Sequence, residues 1–208
     1  MPTVEHLSRD DVRRVPWKNG RGTTEELAIA PAGAAFERGD FAWRISKARI
    51  EAPGPFSCFP GYERILVVTA GDGLVLTHGD DASRARVRPF EPYLFPGDWS
   101  TRAELVRGPV RDFNVLVRRD EWSASVEVLR LGTRRARPAL ARGHAFLHLL
   151  AGSATARVTG EEEPFELAAG ESLSVAGSDA DLELDLVGRS SDCLALLVSL
   201  VEKGRPAG

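Results

Sequence analysis

Apolar residues in this chain come in short runs, many alternating with polar ones, and the runs are divided by Gly, Pro and Asp. A period of two places successive side chains on opposite faces and marks half-buried strands, whereas helices repeat every 3.6 residues. Read this way, strands are predicted over residues 41–50, 64–70, 73–78, 93–95, 101–106, 110–117, 125–131, 145–150, 154–158, 163–167, 172–175, 181–186 and 192–201. Turn signals separate them, among them Pro60-Gly61, Gly71-Asp72-Gly73, Gly79-Asp80-Asp81, Pro96-Gly97-Asp98 and Ala169-Gly170-Glu171. The best helical candidate is 8–14, with Ser8 as its N-cap. Many short strands spaced by turns predict an all-β sandwich or barrel.

A weak internal repeat runs through this pattern. Residues 65–71 align with 146–152, Phe95-Pro96-Gly97-Asp98 with Ala168-Ala169-Gly170-Glu171, and 108–113 with 188–193. The order is the same in both halves, and the offsets lie between 73 and 81 residues. Three matches in order predict two copies of one barrel. The polar break Arg118-Arg119-Asp120-Glu121 sets the boundary, with one domain over 1–122 and a second, degenerate one over 123–208. Strand, Gly-Asp-Gly, strand, then strand, Pro-Gly-Asp, strand is how cupin-type barrels read.

Composition narrows the functions. A net charge of -3 with scattered basic residues argues against a nucleic-acid partner. The cluster Arg130, Arg134, Arg135, Arg137 and Arg142 reads as a solvated linker. No apolar run reaches the roughly 18 residues of a membrane helix. Residues 1–14 are polar and mixed in charge, unlike a secretion signal, so a cytoplasmic protein with no membrane contact is expected. Two cysteines are too few for a disulfide framework, and Cys58 and Cys193 are expected to be buried thiols.

The candidate chemistry centres on residues 54–68. A metal-binding cupin would carry His-x-His near position 57, where this chain has Ser57 and Phe59. Of four histidines, His6 is terminal and His78 is read as part of a turn. His144 and His148 on a strand stand about 13 Å apart, too far to share an ion. No metal and no other cofactor is therefore expected. Arg64, at the mouth of a very apolar strand, suits a bidentate clamp on a carboxylate, or else a surface pair with Glu63. Arg44 and Ser46 share one strand face, as do Asp112 and Asn114. Thr23-x-x-Glu26 matches a capping box, but the alternation before Pro31 favours a strand and frees Glu26 to anchor Lys18 or Arg44. The candidate ligand-binding set is Lys18, Asn19, Thr23, Glu26, Arg44, Ser57, Arg64, Asp112 and Asn114. No catalytic residue is assigned, since Ser57 lacks a nearby histidine base and Cys58 alternates away from it.

Several stretches together resemble the HutD/Ves family over about residues 4–120: Pro16-Trp17-Lys18-Asn19-Gly20-Arg21-Gly22-Thr23-Thr24, Trp43-Arg44-Ile45-Ser46, Gly54-Pro55-Phe56-Ser57, Phe59-Pro60-Gly61-Tyr62-Glu63-Arg64, Pro96-Gly97-Asp98 and Asp112-Phe113-Asn114. Arg21 stands where the family usually has glycine. The resemblance implies a bicupin of RmlC-like jelly-roll type. It also implies a role in regulating or buffering histidine utilisation, with a small carboxylate metabolite such as urocanate or a formyl- or formiminoglutamate as partner. A metal-independent isomerase or hydrolase using Lys18, Glu26 and Asp112, and a protein-interaction module, are the alternatives. Oligomeric state stays open, with a homodimer among the options.

Overall fold

The computed structural model describes residues 3–16, 23–79, 83–140, 143–177 and 183–204. The described chain is all-β apart from two short 3₁₀ turns, and it divides into two compact units. The first comprises Val12–Ser123 with Lys203–Gly208, and the second comprises Met1–Asp11 with Ala124–Glu202. No described helix is long and apolar enough to cross a membrane.

The first unit holds β2 (Arg13–Pro16), β3 (Thr23–Ala30), β4 (Trp43–Ile50), β5 (Gly54–Pro55), β6 (Tyr62–Ala70), β7 (Leu74–His78), β8 (Ser83–Val87), β9 (Tyr93–Pro96), β10 (Thr101–Leu105) and β11 (Val110–Arg118). They form a six-stranded sheet in the order β2-β3-β4-β11-β6-β9 and a four-stranded sheet in the order β5-β10-β7-β8. Ile50, Leu66, Val68, Phe95 and Val110 of the large sheet pack with Leu74, Leu76, Val87 and Ala103 of the small one. The space between the sheets is therefore the core, and even-numbered positions of β4, β6 and β11 point into it.

The second unit holds β1 (Thr3–Leu7) and all but the first two residues of β12 (Trp122–Arg130), then β13 (Arg135–Ala136), β14 (His144–Ala151), β15 (Ser153–Val158), β16 (Phe165–Ala168), β17 (Ser172–Ala176), β18 (Leu184–Gly188) and β19 (Leu194–Glu202). Its sheets run β1-β17-β14-β19-β12 and β13-β18-β15-β16. Thr3–Leu7, which the sequence reading placed in the first domain, pairs antiparallel with β17 instead. That long-range pairing has no local signature. The expected helix over 8–14 is only a 3₁₀ turn, Arg9–Asp11, where the Ser8 hydroxyl accepts from the Asp10 amide at 3.2 Å.

The repeat is real, and the structure corrects its register. Each strand from β4 to β11 has a counterpart eight elements later in the same sheet order. A ladder irregularity marks the same place twice: Val68↔Asp112 precedes Ala70↔Arg111 in one unit, and Leu149↔Ala195 precedes Ala151↔Leu194 in the other. The match of 65–71 with 146–152 holds. The turn at Pro96-Gly97-Asp98 follows β9, whereas Ala169-Gly170-Glu171 follows β16, the counterpart of β8, so that pair was one strand out of step.

Gly71 and Gly152 occupy the same post-strand position in the two units, at φ +92° and +73°. A Cβ on Gly71 would also lie 2.7 Å from the Pro109 carbonyl oxygen. Left-handed backbone and close approach together demand glycine. Gly71→Ala is expected to cost about 1–3 kcal/mol, read as a lower urea midpoint with unchanged slope.

His144, on β14, donates or accepts at Ser174 Oγ over 2.8 Å, and burial pushes its imidazole down to about 4. Its unfolded value is about 6.5. A depressed base stabilises the fold above its unfolded pKa, and that stability is lost as pH falls towards about 4. The midpoint of thermal unfolding should therefore fall on acidification through this window. His144→Gln should flatten the fall, and an unchanged slope would refute the assignment.

Candidate functional site

Three successive rungs of the six-stranded sheet bring the polar residues together on its inner face. The first rung reads Ile29, Arg44, Leu116, Arg64, Phe95 across β3, β4, β11, β6 and β9. The second reads Glu26, Ser46, Asn114, Leu66, Tyr93, and the third Thr24, Ala48, Asp112, Val68. A bulge in β3 between Glu26 and Ala28 absorbs Leu27, and so lets both Glu26 and Ile29 face inward. The strand predicted around Glu26 in place of a helix is thus present, with this irregularity added.

Arg44 and Arg64 flank Leu116 on one rung and are both buried, at 5% and 8% exposure. Their partners differ. Arg44 Nε donates to Glu26 Oε2 at 2.7 Å, its guanidinium lies 4.4 Å from the Phe36 ring centre, and Nη1 reaches Ser46 Oγ at 3.4 Å. Arg64 donates from Nε and Nη2 to one atom, the Asn114 side-chain oxygen, at 2.9 and 2.6 Å. Phe56 and Phe95 lie against it at 4.4 and 5.6 Å. Among the described residues, no carboxylate comes within ion-pair distance of Arg64. Burial pushes its guanidinium down to about 10, so it remains charged at neutral pH.

Asp112, 1% exposed, is the nearest compensating charge, and it stands one rung beyond Asn114. Its carboxylate accepts from the Ala48 amide at 3.1 Å and from the Asn114 side chain. Burial raises its pKa, opposed by the Arg64 charge and these hydrogen bonds.

The remaining expected site residues fare differently. Ser57 is exposed and does not reach this face, and Thr23 is exposed at the start of β3. Cys58 was expected in the core but is exposed, its thiol donating to the Asp98 carbonyl at 3.4 Å. The reason is local: residues 56–61 form an irregular connection after the two-residue β5, so strand alternation does not apply there. That connection is a clasp. The Phe59 amide donates to Gly97 O and the Gly97 amide to Tyr62 O, both at 2.8 Å, while Asp98 Oδ1 accepts from the Gly61 amide at 3.1 Å. Lys18 and Asn19 lie outside the described residues.

One inward residue was left out of the candidate site. His78, expected at the end of a strand and beside a turn, is the buried last residue of β7 and shares the face of Leu74 and Leu76. The alternation Leu74-x-Leu76-x-His78 was the available signal. Thr101 Oγ1 donates to Trp99 O at 3.2 Å, so it accepts from His78 Nδ1 at 2.9 Å. Nε2 then accepts from the Tyr93 hydroxyl at 3.0 Å. Burial lowers the His78 pKa, consistent with this neutral tautomer.

Among the described residues, no three His, Cys, Asp or Glu side chains come together as a ligand set. The first unit's inner face offers guanidinium groups, which cannot ligate a cation.

Comparison with known proteins agrees with this architecture. The family described as HutD matches residues 9–194. An uncharacterised 21.2 kDa protein in the hutC 3′ region of Pseudomonas putida is 34% identical over 96% of this chain and 100% of its own length. Protein Ves of Citrobacter koseri is 37% identical over 57% of this chain and 61% of its own length. Among solved structures, HutD from Pseudomonas fluorescens, in a formate condition, superposes with a TM-score of 0.77 at 30% identity, over 97% of this chain and 100% of that one. A conserved Pseudomonas aeruginosa protein of unknown function reaches 0.85 at 28% identity, over 97% and 100%. The bacterial pirin YhhW of Escherichia coli, in complex with nickel(II), reaches 0.63 at 12% identity, over 94% and 98%, and so speaks to fold alone. The fold is all-β and bicupin, as expected from sequence.

The Glu26–Arg44 pair is buried on both sides. Removing one partner leaves the other charge uncompensated, so Glu26→Ala should cost about 3–5 kcal/mol in urea unfolding. Arg13 approaches Glu26 to only 3.9 Å and is largely exposed, so Arg13→Ala should cost under about 1 kcal/mol.

Proposed function

The chain belongs to the HutD family, and from that premise we propose that its first unit binds a small carboxylate metabolite inside the barrel and acts on histidine catabolism by holding that compound. Urocanate and the formyl- or formiminoglutamate type are the ligand classes. The observation that carries the proposal is Arg64: a buried, charged guanidinium whose hydrogen-bond partner is a neutral amide oxygen. An uncompensated buried charge is costly. A planar carboxylate matches the guanidinium fork and supplies the missing charge. Phe56 and Phe95 against the guanidinium lower the local dielectric, which strengthens the pairing.

The reading favours retention over turnover. Arg44, the second buried cation, already has Glu26, and His78 has both ring nitrogens engaged by hydroxyls. Each is already engaged by an internal partner.

Thermal unfolding with urocanate, N-formylglutamate, formiminoglutamate and formate at millimolar concentration tests this. A ligand at 100 times its Kd adds about 2.7 kcal/mol to stability, so at least one should raise the midpoint by several degrees. Arg64→Ala should abolish the shift. Absence of any shift in the native protein, or an equal shift in the variant, would sink the proposal.

A further inference from the structure

We propose that Asn114 is the positioning residue that keeps Arg64 free of an internal counterion, and thereby makes the site one for a carboxylate group and not for a phosphate. The inference rests on the carboxylate-binding reading and assigns its specificity.

The orientation of the Asn114 amide follows from its neighbours. Its oxygen accepts two N–H bonds from Arg64, and its nitrogen is thereby turned to donate to the Asp112 carboxylate. Asn114 thus stands between the cation and the nearest anion. Asp112 sits one rung further along the same strand, held there by the Ala48 amide. Exchanging the two side chains would bring a carboxylate oxygen to the place where the amide oxygen meets Nε and Nη2. The native order keeps the negative charge one rung too far away to close an ion pair.

The free edge of the guanidinium is also the accessible one. Arg64 Nη1 makes no hydrogen bond among the described residues, yet no buried side-chain nitrogen or oxygen lacks a partner there. Nη1 is therefore not sealed from solvent. An incoming anion meets the Nη1 edge, while the opposite edge is anchored on Asn114.

Charge then selects the anion. Glu26 and Arg44 neutralise each other. Arg64 offers a single positive charge with Asp112 close behind it. One carboxylate saturates that charge. The second charge of a phosphate would face Asp112 with no further cation to offset it.

The test is the exchange variant Asp112→Asn/Asn114→Asp, which keeps composition and net charge. Urocanate, formate and inorganic phosphate are titrated calorimetrically into the native protein and the variant, and thermal midpoints are taken without ligand. The variant should bind urocanate and formate at least about ten-fold more weakly, with an unliganded midpoint equal to or above the native one. The pairing of weaker binding with undiminished stability separates positioning from a merely structural role. Native affinity in the variant would overturn the proposal, as would phosphate binding the native protein as tightly as formate. If the native protein binds neither carboxylate, the functional reading fails on its own, and the unliganded midpoint still decides: a variant less stable than native refutes an internal ion pair with Arg64. Should the exchange not fold, Asp112→Asn alone should tighten urocanate binding, and weakening would refute the charge argument.

Discussion

The structure of the first unit turns on one buried guanidinium. Moving Arg64 out of water is unfavourable unless its charge and its donors are met. Asn114 meets two donors, the faces of Phe56 and Phe95 supply cation–π attraction, and Asp112 contributes at longer range. Each support depends on a distinct piece of backbone. Phe95 is its cross-strand partner on β9, Phe56 is tethered by its amide to the Thr101 carbonyl at 2.8 Å, and Asn114 is brought across by β11. The Phe59–Tyr62 clasp on Gly97 ties the start of β6, where Arg64 lies, to the end of β9. A Cβ on Gly97 would meet the Phe59 carbonyl at 2.7 Å, which is why the turn takes glycine.

The repeat gives a comparison inside one molecule. Aligned on the shared bulge, Arg64, Asn114 and Asp112 correspond to Ala145, Leu197 and Ala195 of the second unit. All three of the latter lie in a continuous apolar cluster. The same sheet thus closes without any polar residue at these positions. Buried charges are commonly replaced by apolar side chains at no loss of stability, so stability does not account for the polar version. A ligand does.

Legibility in the sequence followed the reach of each signal. Period-two alternation found most strands of both units and put Arg44 with Ser46 and Asp112 with Asn114 on shared faces, as the ladders have them. It failed where the chain was not a strand: Ser57 and Cys58 were projected inward from a segment that is a clasp. It put His78 at the end of a predicted strand, but the neighbouring Gly79-Asp80 turn signal kept it out of the candidate inner face. The bulge at Leu27 and the docking of Thr3–Leu7 on β17 are tertiary outcomes that no local window contains. The expectation that Arg64 suits a carboxylate clamp came from its position beside an apolar strand, while the lack of a carboxylate partner among the described residues needed coordinates.

Arg44 and Arg64 make the closing argument for where function resides. They are the same residue type on one rung, equally buried, each against an aromatic ring. The difference that bears on charge is the main partner atom, a carboxylate oxygen for Arg44 and an amide oxygen for Arg64. An ion pair completed within the protein has little left to offer a solute, because an external anion must displace the internal one. A guanidinium held by a neutral amide keeps its orientation and its charge, and an anion entering there displaces only water. The arrangement orients the fork before binding, which lowers the entropic cost of recognition. Of two arginines that burial alone would make equivalent, Arg44 is closed by a carboxylate and Arg64 is held by an amide oxygen, with no carboxylate partner among the described residues.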